Sequence, residues 1–398
     1  LAGLGTVLLK YLTLFIQSVL EGGFIKNYYY SLYFIFPIIG VWLVYLIKKN
    51  FIKKEIGHGI STTLYSISKR SGIIERYKMF ASLLVAPITV GFGGSVGLQG
   101  PAVSTGAALG SNVASLFHMN AKTRMLLIGC ATAGAMSSMF KAPVAAIVFA
   151  IEIFSLDLVF ASLVPLLLAS IAAVITSYFF RGTDVLFSFE LLNAWRVKDI
   201  VFYVLLGLAT GIASVYFSKM YFLITRFFSR FSNAYIKIGI AAIAIGFMLY
   251  LFPPLYGEGY GLINNLLNGK TEAALSGIQY QIDFNNIWMV IVILLIIAVF
   301  KAIAMTTTFA AGGVGGIFIP TLFMGSALGN AVAKAINQFG FEVSEANFTL
   351  LGMTGLMAGV LHAPLTAIFL IAEITGGYDL FVPLMLVATI SFGFTKYF

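Results

Sequence analysis

Charged side chains are scarce in this chain: Asp, Glu, Lys and Arg make up 10% of its 398 residues, whereas 60% are hydrophobic. A soluble globular domain carries roughly 25% charged residues, because polar side chains must cover its surface in water. The shortfall excludes a water-soluble protein and indicates a polytopic membrane protein. The net charge of +9 does not indicate nucleic-acid binding, since long uncharged runs such as 79–96 and 286–300 cannot face a phosphate backbone.

The sequence contains a single cysteine, Cys130, which lies in an apolar run. An intrachain disulfide therefore cannot form. The sequence also lacks an H-E-x-x-H motif, paired cysteines and a G-x-x-x-x-G-K-[ST] loop. We therefore predict no cofactor and no metal site. The first and last stretches, 1–20 and 391–398, lie within the apolar pattern, so we expect both termini to be truncated.

Hydrophobic segments fill most of the chain, but many are too short or too interrupted to cross a bilayer. A membrane-spanning helix needs about 20 apolar residues, and Gly or Pro interrupts several of these segments. Their ends must be buried in protein or line a wet cavity, because lipid cannot hydrogen-bond to the backbone. Broken helices of this kind indicate a transport path. The segments predicted as helices are 1–20, 32–47, 79–117, 125–140, 142–180, 200–225, 236–252, 286–309, 316–338, 347–361, 363–376 and 380–395.

An internal repeat is visible within the chain itself. Residues 142–153 (APVAAIVFAIEI) match residues 363–374 (APLTAIFLIAEI) at an offset of 221. Upstream, residues 101–114 match residues 320–333 at an offset of 219, and a glycine-rich run precedes each copy. Repeated units in the same order at nearly the same offset indicate two homologous halves.

We predict a single transmembrane domain over 1–398, with repeat halves of about 1–190 and about 198–398. An odd number of membrane crossings between the copies makes such a repeat inverted, and half-helices then meet near the bilayer midplane. The expected fold class is an all-α polytopic membrane protein with two inverted-topology repeats and broken half-helices. Short loops rich in Lys and Arg stay in the cytoplasm, which places the basic segment 48–78 inside and the acidic segment around Glu258 outside.

Glycine-rich motifs stand at the start of two equivalent helices, at 97–101 (GLQGP) and 316–320 (GIFIP). Glycine lets backbone N–H groups approach a ligand, Pro begins a helix without wasting a donor, and the helix N-terminus carries partial positive charge. Such an end can hold an anion without a fully charged side chain. We expect the repeat to bring both ends to one anion site. A third segment, 57–61 (GHGIS), precedes another short helix.

In these three motifs the chain resembles the CLC family of chloride channels and chloride/proton antiporters. Segment 57–61 is similar to the family's GSGIP motif, 97–101 to its G(K/R)EGP motif and 316–320 to its GxFxP motif. The resemblance covers nearly the whole chain and implies a homodimer, with the helices around 143–180 and 364–395 forming the dimer face. It also implies chloride or a similar small anion and membrane lipid as partners, in a bacterial-type inner (plasma) membrane.

The gate and the proton relay are where the chain departs from the family pattern. The resemblance implies a gating Glu at the position of Gln99 and, in antiporters, a relay Glu at Ile153, directly after Glu152. An amide cannot titrate, so Gln99 is predicted to be an uncharged gate position. The residues expected to bind the anion are His58, Gly59, Gln99, Gly100, Ile317, Phe318 and Ile319, mostly through backbone N–H groups.

These departures predict passive, proton-uncoupled anion permeation by a channel or uniporter that is not an enzyme. The alternative is a proton-coupled exchanger with a non-standard relay through His58 and Glu152, a candidate proton or water portal. A protonated His58 would bind an anion more tightly near about pH 6, so we expect pH-dependent flux. Two other classes stay open: an intramembrane hydrolase, suggested by the G-x-S-x-G run 93–97, and a non-transporting scaffold. The selectivity among chloride, nitrate, bicarbonate and fluoride is not readable.

Overall fold

The computed structural model describes residues 1–21, 29–54, 56–57, 59–154, 160–183, 187 and 195–398. Within these ranges the chain is almost entirely α-helical, and its one β-type pairing is an isolated bridge. The helices of the first half are α1 (Ala2–Glu21), α2 (Tyr29–Ile47), α3 (Ile60–Lys69), α4 (Lys78–Gly91), α5 (Gln99–Leu116), α6 (Ala121–Phe140), α7 (Pro143–Phe154) and α8 (Phe160–Arg181). Those of the second half are α9 (Ile200–Ser229), α10 (Ala234–Leu251), α11 (Tyr260–Leu267), α12 (Thr271–Ala274), α13 (Ile287–Ala310), α14 (Phe318–Gln338), α15 (Glu345–Leu361), α16 (Pro364–Ile374) and α17 (Phe381–Tyr397).

Six of the described helices are long and apolar enough to cross a membrane, namely α1, α2, α8, α9, α10 and α13. By contrast, α7 has 12 residues and α16 has 11, which is well short of the about 20 that a full crossing needs. The predicted segments 79–117 and 142–180 each form two helices rather than one. In the first of them, the glycine-rich loop 92–98 interrupts the helix, and Gly93 has a left-handed backbone with φ of 94°. The predicted all-α polytopic fold with broken helices is confirmed.

Hydrogen bonds cross between the two halves in reciprocal pairs. The Thr89 hydroxyl oxygen accepts a hydrogen bond from the N–H of Val314 (3.1 Å), and the Thr308 hydroxyl oxygen accepts one from the N–H of Ser95 (3.2 Å). Both pairs join equivalent positions of the repeat, at the offset of 219 found in the sequence. The ends of α4 and α13 therefore hold each other's following loop, as expected for two halves related by a pseudo-two-fold axis.

The short helices α7 and α16 pack against each other in opposite directions. The carboxylate of Glu373, near the end of α16, accepts hydrogen bonds from the N–H groups of Val144 (3.1 Å) and Ala145 (2.8 Å) at the start of α7. In return, the carboxylate of Glu152, near the end of α7, accepts from the N–H (2.8 Å) and hydroxyl (2.6 Å) of Thr366 at the start of α16. Because each C-terminal end meets the other's N-terminal end, the two copies are antiparallel, which is the inverted arrangement.

Close helix packing supports the elements that begin at the glycine motifs. Helix α5 lies against α6, and a Cβ atom on Gly106 would be 2.7 Å from the carbonyl oxygen of Ala131. The equivalent Gly325 of α14 lies against the backbone of Gly352 in α15 in the same way. Only a residue without a side chain permits such an approach. The two helix pairs are thus rigid supports that aim the N-termini of α5 and α14 into the protein.

Candidate anion site

The N-terminal ends of α5 and α14 are joined by a two-residue antiparallel bridge. The N–H of Gly97 donates to the carbonyl oxygen of Gly316 (2.9 Å), and the N–H of Gly316 donates to that of Gly97 (2.7 Å). Both glycines are buried. The expectation that the repeat brings its two glycine-led helix ends to one place is confirmed by this bridge.

The first glycine motif reaches the same place. Gly59 precedes α3, and a Cβ atom on it would lie 2.9 Å from the Cα of Gly100. A Cβ atom on Gly100 would in turn lie 2.8 Å from the Cα of Gly316. Three helix N-termini, those of α3, α5 and α14, therefore converge on Gly100, and glycine is required there because the backbones touch. His58, the neighbour of Gly59, lies outside the described residues.

A cavity of about 200 Å³ opens at this convergence. It has room for a small anion together with several waters, each of which takes about 30 Å³. One wall is backbone from the three glycine motifs, and the other is largely aromatic. Its lining includes Ile60, Ser61, Gly100, Gly315, Gly316, Ile317, Phe217, Tyr221 and Phe309.

Several backbone donors at the two helix starts have no acceptor among the described residues. The first-turn N–H groups of any α-helix lack an intrahelical partner. Unpaired N–H groups at a helix N-terminus favour a negatively charged ligand. Across the ranges that the structure describes, no hydrogen bond uses the N–H of Gln99, Gly100, Ile317, Phe318 or Ile319. The predicted backbone ligands are thus available at adjacent helix ends.

The side chain of Gln99 is completely buried and points to a turn of the second half. Its Nε2 donates to the hydroxyl oxygen of Tyr260 (3.2 Å) and weakly to Oε1 of Glu258 (3.4 Å). The N–H of Leu98 donates to the same carboxylate oxygen at 3.2 Å. Oε1 of Gln99 has no hydrogen-bond partner within the described part of the chain. A carboxylate therefore does lie at the start of α5, although the residue at the gate position is an amide.

Glu258 is the site residue that sequence reasoning missed. The acidic turn was interpreted as an outward-facing topology signal, but the side chain is only 8% exposed and packs against the start of α5. A usable signal was the glycine on each side, because Gly257 (φ 55°) and Gly259 (φ 81°) both adopt left-handed conformations that let a tight turn present the carboxylate inward.

A buried lysine holds this turn in place. Lys301 lies within α13 and has no exposed surface. Its Nζ donates to the carbonyl oxygens of Leu255 (3.3 Å) and Gly257 (3.0 Å) and lies 4.6 Å from the centre of the Phe323 ring. The hydrogen bonds and the ring compensate part of the cost of burying the ammonium group.

Glu152 and Ile153 do not line the cavity. Besides its two bonds from Thr366, the Glu152 carboxylate accepts one from the N–H of Leu365 (3.1 Å), so it caps the N-terminus of α16. The portal role of these residues stays a prediction. As for metals, the described residues contain no cluster of three or more His, Cys, Asp or Glu side chains that could bind one.

The sequence matches a known family over most of its length. The family model described as voltage gated chloride channel matches residues 38–396. The chain is 26% identical over 341 residues to a ClcB-like protein of Ralstonia nicotianae, covering 82% of this chain and 74% of that relative. It is 28% identical over 309 residues to the H(+)/Cl(-) exchange transporter ClcA of Vibrio cholerae, covering 75% of this chain but only 62% of ClcA.

Solved structures share the fold. A CLC-type fluoride/proton antiporter superposes with a TM-score of 0.79 at 21% identity, and a slow cyanobacterial Cl⁻/H⁺ antiporter superposes with a TM-score of 0.81 at 19% identity. Each match covers 100% of this chain and 92% of the other. These structures confirm the fold class. The family match and the six long apolar helices confirm the multi-pass membrane location, and the bacterial relatives are consistent with the predicted inner membrane.

Proposed function

Because the chain belongs to the voltage gated chloride channel family, we propose that it passes chloride or a similar small inorganic anion across the membrane. Members of this family are transporters and channels rather than enzymes. The observation that carries the proposal is the set of N–H groups at the starts of α5 and α14, beside the cavity, for which the described part of the chain offers no acceptor. Partial charges bind an anion weakly enough to release it, which permeation requires.

The proposed permeation is passive and not coupled to protons. Gln99 stands where the family pattern has its gating Glu, and its amide can neither compete as a negative charge nor carry a proton. Ile153 stands where antiporters of the family have the relay Glu, and an alkyl side chain cannot transfer protons either. The two stations of the standard proton route are therefore both replaced.

One observation favours proton-coupled exchange as a second candidate. The Glu258 carboxylate lies beside Gln99, so a titratable group exists at the start of α5. The ClcA relative is named as an H(+)/Cl(-) exchange transporter. In this candidate the remaining relay runs through His58 and Glu152. A hydrolase has no such support, because the Ser95 hydroxyl donates to the carbonyl oxygen of Leu255 (2.7 Å) and is fully buried.

We also propose a homodimer, with α7, α8, α16 and α17 forming the interface that the family resemblance implies. Large apolar side chains are exposed on these helices, including Leu168 of α8, Leu365 of α16 and Val382 of α17. Cross-linking through cysteines introduced at Leu168 or Val382 should give a covalent dimer in membranes. Chains that stay monomeric in both variants would contradict this interface.

Purified protein in liposomes tests the function. We would measure chloride efflux with a pH electrode outside, and the reversal potential under a pH gradient at equal chloride. A reversal potential set by chloride alone, without proton movement, is the expected result. Proton movement against its gradient, stoichiometric with chloride, would replace the passive mechanism with the exchanger. A Gly100→Ala variant is the matched control, because it keeps every charge and obstructs the convergence of the helix ends.

A further inference from the structure

We propose that Glu258 is the gate of the anion path: its carboxylate occupies the anion position at the N-terminus of α5 and must leave that position before an anion can pass. This inference rests on the proposed function, since a gate requires a protein that moves anions. The gate would thus be supplied by a turn of the second half, whereas the family pattern puts it in the first half at Gln99.

The carboxylate lies at the start of α5, where the N–H groups of the helix would also stabilise a bound anion. Oε1 of Glu258 accepts a hydrogen bond from the backbone N–H of Leu98 at 3.2 Å, directly before α5. It also faces Nε2 of Gln99 at 3.4 Å. Negative charge is stabilised at such a helix start by the N–H groups and by the helix dipole. A chloride ion at the same place would repel the carboxylate, so the two compete for one position.

The negative charge of Glu258 is stabilised by nearby basic groups that would also stabilise a bound anion. Its side chain is 8% exposed, and none of the ion pairs among the described residues includes it. The charged or titratable groups that face it are Lys10 of α1, Arg181 of α8, Tyr260 of α11 and Lys301 of α13. The positive charges of the three basic groups act at longer range than a direct ion pair. The carboxylate can therefore move away without breaking a salt bridge.

None of the three cations forms an ion pair with an acid among the described residues. The Lys10 ammonium lies 5.0 Å from the centre of the Tyr260 ring, and Nη1 of Arg181 is buried without an acceptor in the part of the chain that the structure describes. Lys10 and Arg181 therefore create a positive potential around Glu258, at the end of the path where Gln99 lies. This positive potential would stabilise an incoming anion once the carboxylate has moved away.

Gln99 then has a role that differs from an inert gate. Its buried amide donates to Tyr260 and faces the carboxylate, so it positions Glu258 instead of closing the path itself. Glu258 lies between Gly257 and Gly259, which both have left-handed backbones, and the gate opens when rotation about the bonds of the Glu258 side chain moves the carboxylate away from the Leu98 N–H. Protonation would have the same effect, because a neutral carboxyl group no longer competes as a charge.

Chloride efflux from liposomes at about pH 7.5 and about pH 3.5, on either side of the reference pKa of about 4.3 for a free glutamate side chain, tests the inference. The proteins compared are the wild type, Glu258→Gln, and the control Glu272→Gln, which removes an equal charge from an exposed acid of the same half. We expect wild-type flux to rise on acidification. Glu258→Gln should be faster at the higher pH by about tenfold, the factor for one charge-assisted hydrogen bond, and nearly independent of pH. Glu272→Gln should behave as the wild type.

The outcomes separate failure of the gate from failure of the function. If Glu258→Gln folds and its flux equals or falls below that of the wild type, the gate is overturned. In that case chloride flux through the wild-type protein still supports anion transport. No flux in any protein overturns both, and flux only in Glu258→Gln supports a closed gate. If Glu258→Gln does not fold, Glu258→Asp decides, because it keeps the charge but its shorter side chain loses contact with the Leu98 N–H. Faster flux than the wild type supports the gate, and unchanged flux overturns it.

Discussion

The reciprocal caps between α7 and α16 offer a test of whether Glu152 serves stability or proton movement. The change is Glu152→Gln, and the equivalent change Glu373→Gln in the other half is its matched control. Both carboxylates accept hydrogen bonds at the start of the opposite helix, three for Glu152 and two for Glu373. If both are caps, both variants should lose stability and neither should change the ratio of protons to chloride.

The expected loss follows from the bonds that an amide cannot replace. A glutamine keeps one acceptor oxygen, and its NH₂ group faces donors where the second oxygen was. Oε2 of Glu152 accepts two bonds from Thr366, whereas each oxygen of Glu373 accepts one bond. With about 1.5 kcal/mol or more for a hydrogen bond to a charged group, we expect a free energy of unfolding lower by about 2–3 kcal/mol for Glu152→Gln and by about 1.5–2 kcal/mol for Glu373→Gln.

Unfolding in mixed detergent micelles, followed by circular dichroism, measures the stabilities, and the liposome assay measures chloride and proton flux on the same preparations. The cap explanation is refuted if Glu152→Gln changes proton or chloride flux at unchanged stability while Glu373→Gln does not. In that case Glu152 is the portal that the sequence suggested. Equal losses of stability with unchanged flux ratios would assign both residues to the helix ends.

Three further changes test the site. Gln99→Glu would put a second carboxylate about 3.4 Å from Glu258. The two charges would repel each other by about 5 kcal/mol at an effective dielectric constant of 20. Chloride efflux should be nearly lost at neutral pH and recover on acidification, and pH-independent efflux would contradict this. Gly316→Ala should abolish efflux in protein that still inserts, since its Cβ would meet the backbone N of Gly100 at 2.5 Å. Lys301→Met removes the Lys301 donor from the carbonyl oxygen of Gly257, while that of Leu255 keeps the Ser95 hydroxyl as a donor, so thermal unfolding should report about 1–3 kcal/mol less stability.

The repeat and the glycine motifs could be predicted from the sequence because each reflects a requirement of the backbone for close contact or for hydrogen bonding. Backbone segments are in contact at Gly59, Gly100 and Gly316, where a side chain would not fit. The glycines of the motif therefore indicate the close contact. Short apolar segments likewise had to be broken helices, because lipid leaves backbone groups unsatisfied. These arguments need no knowledge of which side chains meet.

The contacts of individual charged side chains could not be predicted in this way. Glu258 contacts Leu98, which lies 160 residues earlier in the sequence, and an acid between glycines resembles an ordinary exposed turn. Lys301 lies within the segment 286–309 that was predicted as a helix, but its burial and its bonds to the carbonyl oxygens of Leu255 and Gly257 were not predicted. The repeat showed that Glu152 and Glu373 are equivalent but not that each caps the other's helix. Such pairings depend on tertiary packing.

The bridge between Gly97 and Gly316 also bears on how the protein is made. A ribosome releases the first glycine motif into the membrane long before the second one has been synthesised, and contacts between distant parts of a chain form late in folding. Until α14 arrives, α5 has no partner for its bridge and the cavity has only part of its wall. A half-synthesised chain therefore lacks part of the cavity lining, and the proposed anion path can be completed only after α14 has been inserted.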